Sequence, residues 1–244
     1  MASILVLWDV DYTLINPARV GRVLYEMAFR EMFGGAAPRT GTLSGRTDSA
    51  IALEVLTAAG LPDPRALVPA FQATMAARAD EMAGLLRERG QVLPGAAEAL
   101  AAVAGLAGPG TLVVQSLLTG NIRRLAEVKL GALGLLGQLD LDAGAYGDLH
   151  EDRAQLVPAA RLAAARGYGA DFSGQATVLI GDTPLDVEAA LATGARVIAV
   201  ATGEYDTDQL AAAGAHCVLP DLTDTARLLT EILAPAPLRP SQTP

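Results

Sequence analysis

Two carboxylates, Asp9 and Asp11, stand two residues apart at the end of the apolar run Ile4–Trp8, in the stretch ILVLWDVDYTLI. The period of a strand puts residues i and i+2 on one side, so a buried strand would deliver both acids to one place. Their desolvation and mutual repulsion then have to be offset. Two further apolar runs end in groups of the same kind. Thr111–Leu118 leads into Thr119-Gly120-Asn121, and Thr177–Ile180 leads into Gly181-Asp182-Thr183-Pro184-Leu185-Asp186. Four acids together, Asp9, Asp11, Asp182 and Asp186, could not stay ionised without a cation, and a hard, oxygen-loving ion such as Mg²⁺ suits them best. Thr119, the Gly120 N–H and Asn121 open a helix, and a helix N-terminus favours phosphate. A metal, a phosphate cradle and a spare carboxylate fit phosphoryl transfer through an aspartyl-phosphate. Singly, each piece has a plainer reading as a turn, an Asx cap or a strand–turn–helix with Thr183 as N-cap and Pro184 at N1. All three in this order, each closing an apolar run, argue for one site at the carboxyl ends of strands, where open α/β sheets collect ligands.

The elements that must position these residues are an alternation of short apolar runs and longer helical patterns. Strands are expected at Ile4–Trp8, Thr111–Leu118, Thr177–Ile180, Arg196–Val200 and Cys217–Leu219, with helices such as Asn121–Leu133, Gln155–Arg166 and Asp186–Ala192 between them. Continuous apolar runs fit strands buried on both faces. The alternation implies a doubly wound parallel α/β sheet, a Rossmann-like core. It breaks once, where the stretch from residue 16 to 94 reads as helices. Asn16-Pro17 reads as an N-cap with Pro at N1, followed by Val20, Val23, Leu24, Met27 and Met32 at helical spacing. A second helix is expected from Thr47 to Gly60 and a third from Pro64 to Gly90, bent at Pro69. Residues 16–94 are therefore read as an inserted all-helical cap, residues 1–15 and 95–233 as the core, and the Pro-rich tail 234–244 as disordered.

These motifs resemble those of the haloacid dehalogenase superfamily of phosphohydrolases. Asp9, Asp11, Thr13 and Leu14 match DxDxTL, Thr119 in LLTGN matches the Ser/Thr motif, and Gly181, Asp182 and Asp186 match GDxxxD. The insertion lies where the family's C1 cap lies. The segment SGRTD, Ser44–Asp48, resembles its substrate-facing loop, and GARVIAVATGEY, Gly194–Tyr205, resembles the phosphoglycolate-phosphatase-like branch. The resemblance implies Asp9 as nucleophile and Asp11 as acid/base. It implies Mg²⁺ held by Asp9, the main-chain carbonyl of Asp11, Asp182 and Asp186, and phosphoryl oxygens held by Thr119, Gly120 and Asn121. Two departures stand out. Tyr12 occupies a position where many relatives carry Gly, and the Lys that relatives place before GDxxxD is missing from YGDLHEDRAQLVP, Tyr146–Pro158. Arg153, at a helix start after a short strand near Ala143–Tyr146, or Lys129, the only lysine in the chain, could supply that cation. Lys129 lies about eight residues into its helix, which at 1.5 Å per residue puts it roughly 12 Å from the phosphate end, a gap that a long side chain and a tilted helix shorten. Arg46 in the cap loop is a candidate contact for a substrate anion, with a surface salt bridge as the plainer alternative. His150 is open between a surface and a site role, and His216 and Cys217 read as structural.

The remaining composition narrows the field. A net charge of −9 argues against a nucleic-acid partner. One cysteine excludes an intrachain disulfide, no basic leader precedes Ile4, and no apolar stretch is long enough for a membrane span, so a cytoplasmic location is expected. The expected partner is a small phosphorylated metabolite, taken by a monomer or homodimer. The leading reading is a Mg²⁺-dependent phosphatase. A phosphomutase of the same superfamily and a non-catalytic phosphometabolite-binding module are the alternatives. A phosphonatase would need a cap lysine, which residues 16–94 lack, and a dehalogenase would generally lack Asp11.

Overall fold

A computed structural model of the chain describes residues 2–234. Its centre is a six-stranded sheet in the order β5-β4-β1-β6-β7-β8, every pair parallel. The strands are β1 (Ala2–Trp8), β4 (Thr111–Thr119), β5 (Ala145–Tyr146), β6 (Thr177–Gly181), β7 (Arg196–Val200) and β8 (Cys217–Leu219). β1 lies between β4 and β6, so the ends that carry Asp9, Thr119 and Asp182 are adjacent. Its alternation divides the core into two layers. Val6 and Trp8 pack with α5 (Ala96–Ala104), α6 (Arg123–Ala132) and α10 (Thr225–Leu233), while Leu5 and Leu7 pack with α7 (Leu156–Tyr168), α8 (Pro184–Ala192) and α9 (Thr207–Ala212). Burial on both faces is what lets these strands read as unbroken apolar runs. A polar intrusion in this layer is satisfied: Trp8 Nε1 donates to Gln115 Oε1 at 3.2 Å, and Gln115 Nε2 donates to the Leu100 carbonyl at 2.9 Å.

The helices between β1 and α5 are α1 (Val20–Phe33), α2 (Asp48–Ala58), α3 (Pro64–Arg78) and α4 (Met82–Arg89). They share an apolar cluster of their own, built on Leu24, Phe29, Leu56, Phe71, Met75 and Leu86. The cluster closes against Ile122, Leu125 and Val128 at and beyond the start of α6. The same helix turns Ala126 and Leu130 toward the sheet, so α6 is the seam between the two bodies.

Two expectations about this region are corrected. Asn16 does not cap a helix. Ile15–Asn16 (β2) pairs antiparallel with Gln91–Val92 (β3), and the Asn16 side chain accepts from the Ala18 N–H at 3.1 Å. Ala18 and Arg19 then take left-handed φ values of 51° and 59°, and α1 begins only at Val20. The two-strand ribbon ties both ends of the insertion together, a pairing invisible to a helical pattern. The stretch Pro64–Gly90 is also not one helix bent at Pro69. It breaks at the 3₁₀ turn Ala79–Glu81, where Asp80 pairs with Arg124 of α6, while Pro69 is carried inside α3. Among the core helices, α8 starts as the strand–turn–helix reading of GDTPLD has it. Thr183 caps it, Pro184 opens it, and Asp186 at N3 completes a capping box. Ala234 closes the described chain, so the tail expected at 234–244 lies otherwise outside the described residues. No helix among the described residues is long and apolar enough to cross a membrane.

Candidate active site

β1 hands its last ladder bond to Asp9, whose N–H donates to the Ile180 carbonyl at 2.8 Å. The chain then turns, with the Leu14 and Ile15 N–H groups donating back to the Val10 carbonyl at 3.0 and 3.1 Å. Tyr12 rides this turn at φ 59°, a conformation that costs a non-glycine residue on the order of 1–2 kcal/mol. Thr202 Oγ1 donates to the Tyr12 carbonyl at 2.5 Å and steadies the turn. The tyrosine departure therefore keeps the glycine-like backbone and adds a ring to the wall of the cavity beyond.

Asp9, Asp182 and Asp186 are buried at the strand ends, and one carboxylate oxygen from each lies within 4.8 Å of the others. Burial pushes Asp9 up to about 6; Arg153 opposes the shift while Asp186 and Asp11 add to it. Burial, then the Asp9 and Asp186 charges, holds Asp182 well above the usual carboxylate range. Thr13 Oγ1 donates to Asp182 Oδ1 at 3.3 Å, but Asp182 Oδ2 is buried with no hydrogen-bond partner. It points at Gly203, where an added Cβ would lie 1.9 Å from it. Asp186 is held more firmly: Thr183 N–H and Oγ1 donate to its Oδ2 at 3.2 and 2.7 Å.

Arg153 and Lys129 were alternatives for one cation, and both reach the site. Arg153 sits in the 3₁₀ turn Arg153–Gln155, which Asp152 opens by accepting from the Ala154 N–H at 2.9 Å. Its Nη2 lies 2.5 Å from Asp186 Oδ1 and 3.0 Å from Asp9 Oδ1, and its Nη1 donates to the Gly45 carbonyl at 3.1 Å. Burial opposes its charge, yet Asp186 and Asp9 hold its pKa above the ordinary value. Lys129 is 1% exposed. Its Nζ donates to Asp11 Oδ1 and Oδ2 at 2.8 and 2.5 Å and to Asn121 Oδ1 at 2.6 Å. The long side chain thus closes the gap along the helix axis. α6 begins at Arg123 rather than Asn121, and helical side chains lean toward the N-terminus, so the long amine reaches back to the start of the helix.

Thr119, Gly120 and Asn121 lie at the end of β4. Asn121 Nδ2 donates to Thr119 Oγ1 at 2.8 Å and to Asp11 Oδ2 at 3.3 Å, and the Asn121 N–H also donates to Thr119 Oγ1 at 3.3 Å. Gly120 is required by the insertion as well: an added Cβ would lie 2.0 Å from the Arg46 carbonyl oxygen. The Gly120 carbonyl accepts from the Asp48 N–H at 2.7 Å, and Gly147 accepts from the Ser49 N–H at 2.9 Å. Asp48 finishes the join. Its Oδ2 accepts from the Ile122 N–H at 2.7 Å and its Oδ1 from the Tyr25 hydroxyl at 2.6 Å. Burial pushes Asp48 up to about 6 against these hydrogen bonds. The helical insertion is therefore latched onto the core by its loop, over a cavity of about 570 Å³ lined by Asp9, Asp11, Tyr12, Thr119, Arg46 and Arg19, among others.

Other residues singled out in the sequence fall elsewhere. Arg46 lines the cavity and pairs with Glu54 at 2.6 Å, the salt bridge of its plainer reading. His150 is exposed and accepts from the Asp152 N–H at 2.9 Å, a turn contact away from the cavity. His216 accepts from the Val197 N–H at 3.2 Å, and Cys217 is buried in β8. Tyr25 and Gly203 escaped sequence reading. One looks like a helical core residue and the other like an ordinary loop glycine.

Comparison with known proteins bears on the fold that carries this geometry. Residues 154–225 match the model of the Hydrolase-like family, described as HAD-hydrolase-like. No curated protein matches the chain. Among solved structures, a hydrolase from Pseudomonas syringae aligns at a TM-score of 0.65 with 20% identity, covering 95% of this chain and 100% of that one. A predicted phosphatase from Clostridium acetobutylicum aligns at 0.65 with 16% identity, covering 95% and 100%. A haloacid dehalogenase-like family hydrolase from Streptococcus pneumoniae aligns at 0.57 with 15% identity, covering 94% and 98%. At these identities the likeness is one of fold.

Proposed function

We propose that this chain, a haloacid dehalogenase-like protein by its fold and by the match over residues 154–225, is a Mg²⁺-dependent phosphatase acting on a small phosphomonoester. The observation that carries the reading is the convergence of Asp9, Asp182 and Asp186 beside the Thr119–Asn121 cradle, under a latched helical cap. The donor set fits a hard divalent cation. All its donors are oxygens, the single charge of Arg153 cannot balance three acids, and Asp182 Oδ2 is buried without a partner. Asp9, Asp182 and Asp186, with the main-chain carbonyl of Asp11, would hold Mg²⁺, which neutralises charge on the acids and on the phosphoryl oxygens.

The protein's own groups account for the rest. Asp9 is the nucleophile: its carboxylate oxygen bonds to phosphorus as the ester oxygen leaves, giving an aspartyl-phosphate. Asp11 gives a proton to the leaving oxygen and later takes one from the attacking water. Thr119 and Asn121 hold phosphoryl oxygens, while Arg153 fixes Asp9 and Asp186 relative to each other. The cap sets the size of the substrate and keeps bulk water from the intermediate. The cap residues 16–94 carry neither Lys nor His, which favours hydrolysis over a mutase that must grip a bisphosphate as it turns. Phosphate release across a panel of small phosphoesters, with Mg²⁺ and with chelator, tests the reading. Release that requires Mg²⁺ and is lost in Asp9→Asn supports it, and release undiminished in Asp9→Asn refutes it.

A further inference from the structure

Of the 18 basic residues in this chain, 17 are Arg, and the one Lys is buried in the site. It does not stand where a cation for the nucleophile is wanted, because Arg153 already pairs with Asp9 and Asp186. Lys129 turns instead to Asp11 and Asn121. We infer that Lys129 is a positioning residue that locks the acid/base carboxylate of Asp11 and the phosphate-holding amide of Asn121 into one rigid unit, a task separate from that of Arg153. The role assigned to Asp11 rests on the phosphatase reading above.

The atoms argue it in sequence. An ammonium has three donors and no acceptor, and here all three find acceptors: Asp11 Oδ1 at 2.8 Å, Asp11 Oδ2 at 2.5 Å and Asn121 Oδ1 at 2.6 Å. Donation to Asn121 Oδ1 fixes which way the amide faces. Its Nδ2 must then point to Thr119 Oγ1, at 2.8 Å. Thr119 Oγ1 accepts that bond and one from the Asn121 N–H, so its own hydrogen is left to donate to an anion in the cavity. Asp11 needs such restraint, because its side chain is 31% exposed at the cavity wall and is free to swing without a partner. A guanidinium is planar and carries its donors in a rigid fork, a shape unsuited to three acceptors gathered around one nitrogen. That accounts for lysine at this position in a chain that otherwise uses arginine. The position on α6 suits the task. Lys129 lies on α6 between Val128 of the cap cluster and Leu130 of the sheet cluster, and at 1% exposure its stem is buried at that seam.

Because the chain has a single lysine, one labelled residue reports on the contact directly. In protein carrying nitrogen-15 at the lysine Nζ, a slowly exchanging ammonium signal is expected at neutral pH, displaced by Asp11→Asn. A signal exchanging as free lysine does, or unmoved by Asp11→Asn, overturns the inference whether or not any ester is turned over. The kinetic arm uses p-nitrophenyl phosphate with Mg²⁺. Lys129→Met should lower kcat about a hundredfold, the effect of displacing a catalytic group by about 1 Å, with KM little changed. Lys129→Arg should not restore kcat. In an Asp11→Asn background Lys129→Met should cost less than about threefold, since coupled residues are non-additive. Equal losses in both backgrounds, or full activity in Lys129→Arg, overturn it. Thermal unfolding of each variant, with Lys129→Gln in reserve, separates a lost fold from a lost position. Failure of wild type to release phosphate from any ester would count against the phosphatase reading, with the contact still decided by the labelled amine.

Discussion

Replacing Asp9 by Asn should make the metal-free protein more stable at alkaline pH and leave it nearly unchanged at acid pH. Asp9 is buried, and burial raises its pKa from 3.8 to about 6, with Arg153 offsetting only part of the shift. A carboxyl raised on folding favours the folded state below its unfolded pKa. That contribution is lost as pH rises through the folded value, so the destabilising window runs from about pH 4 to just above pH 6. A displacement of about 2 units corresponds to about 3 kcal/mol, an upper figure because Asp182 and Asp186 share the same field. For a chain of this length that is on the order of 6–12 °C in Tm. The assay is thermal unfolding of wild type and Asp9→Asn in chelator from about pH 4.5 to about pH 8, spanning the window set by the two pKa values. Mg²⁺ should then reverse the order at the alkaline end. A ligand at a hundred times its Kd adds about 2.7 kcal/mol, and only wild type has the full set of acids to hold it. A difference between the two proteins that does not vary with pH, or a wild type already the more stable at about pH 8 in chelator, would refute the reasoning.

Further outcomes follow from the latch and the acid cluster. Asp48→Ala removes the acceptor of the buried Tyr25 hydroxyl and the Ile122 N–H. It should cost about 3 kcal/mol in urea unfolding, with faster proteolysis in the loop 41–47. Gly120→Ala, whose Cβ would meet the Arg46 carbonyl oxygen at 2.0 Å, should lift the cap loop. A raised KM with unchanged unfolding of the core would show it. Gly203→Ala, 1.9 Å from Asp182 Oδ2, should raise the Mg²⁺ concentration for half-maximal activity by about tenfold or more. Titration of activity against Mg²⁺ checks it.

The parts of this molecule that were legible in its sequence share a physical cause. Strands buried on both faces must be apolar throughout, so β1, β4, β6, β7 and β8 announced themselves, and with them the strand ends that carry Asp9, Thr119 and Asp182. Asp186 was legible because GDTPLD is also a helix start, with Thr183 and Asp186 capping each other. What stayed hidden depends on approach in space. The ribbon of β2 and β3 pairs residues far apart in the chain, without a pattern of its own. Lys129 was legible only as an alternative to Arg153, because a sequence does not show that its long side chain runs back along the helix to Asp11 and Asn121. Gly120 was read as part of a helix-opening turn, but the demand for glycine comes from the Arg46 carbonyl lying against it. Tyr12 broke the family pattern, yet its backbone keeps the left-handed turn, with Thr202 steadying it.

The central claim is that Asp9 carries the phosphoryl group. Rapid acid quenching of wild type during turnover of p-nitrophenyl phosphate with Mg²⁺, followed by peptide mass spectrometry, measures it directly. One added phosphoryl group on the peptide containing Asp9, absent with chelator and absent in Asp9→Asn, is the predicted result. Steady phosphate release with that peptide unmodified, and with the same release in Asp9→Asn, would contradict it.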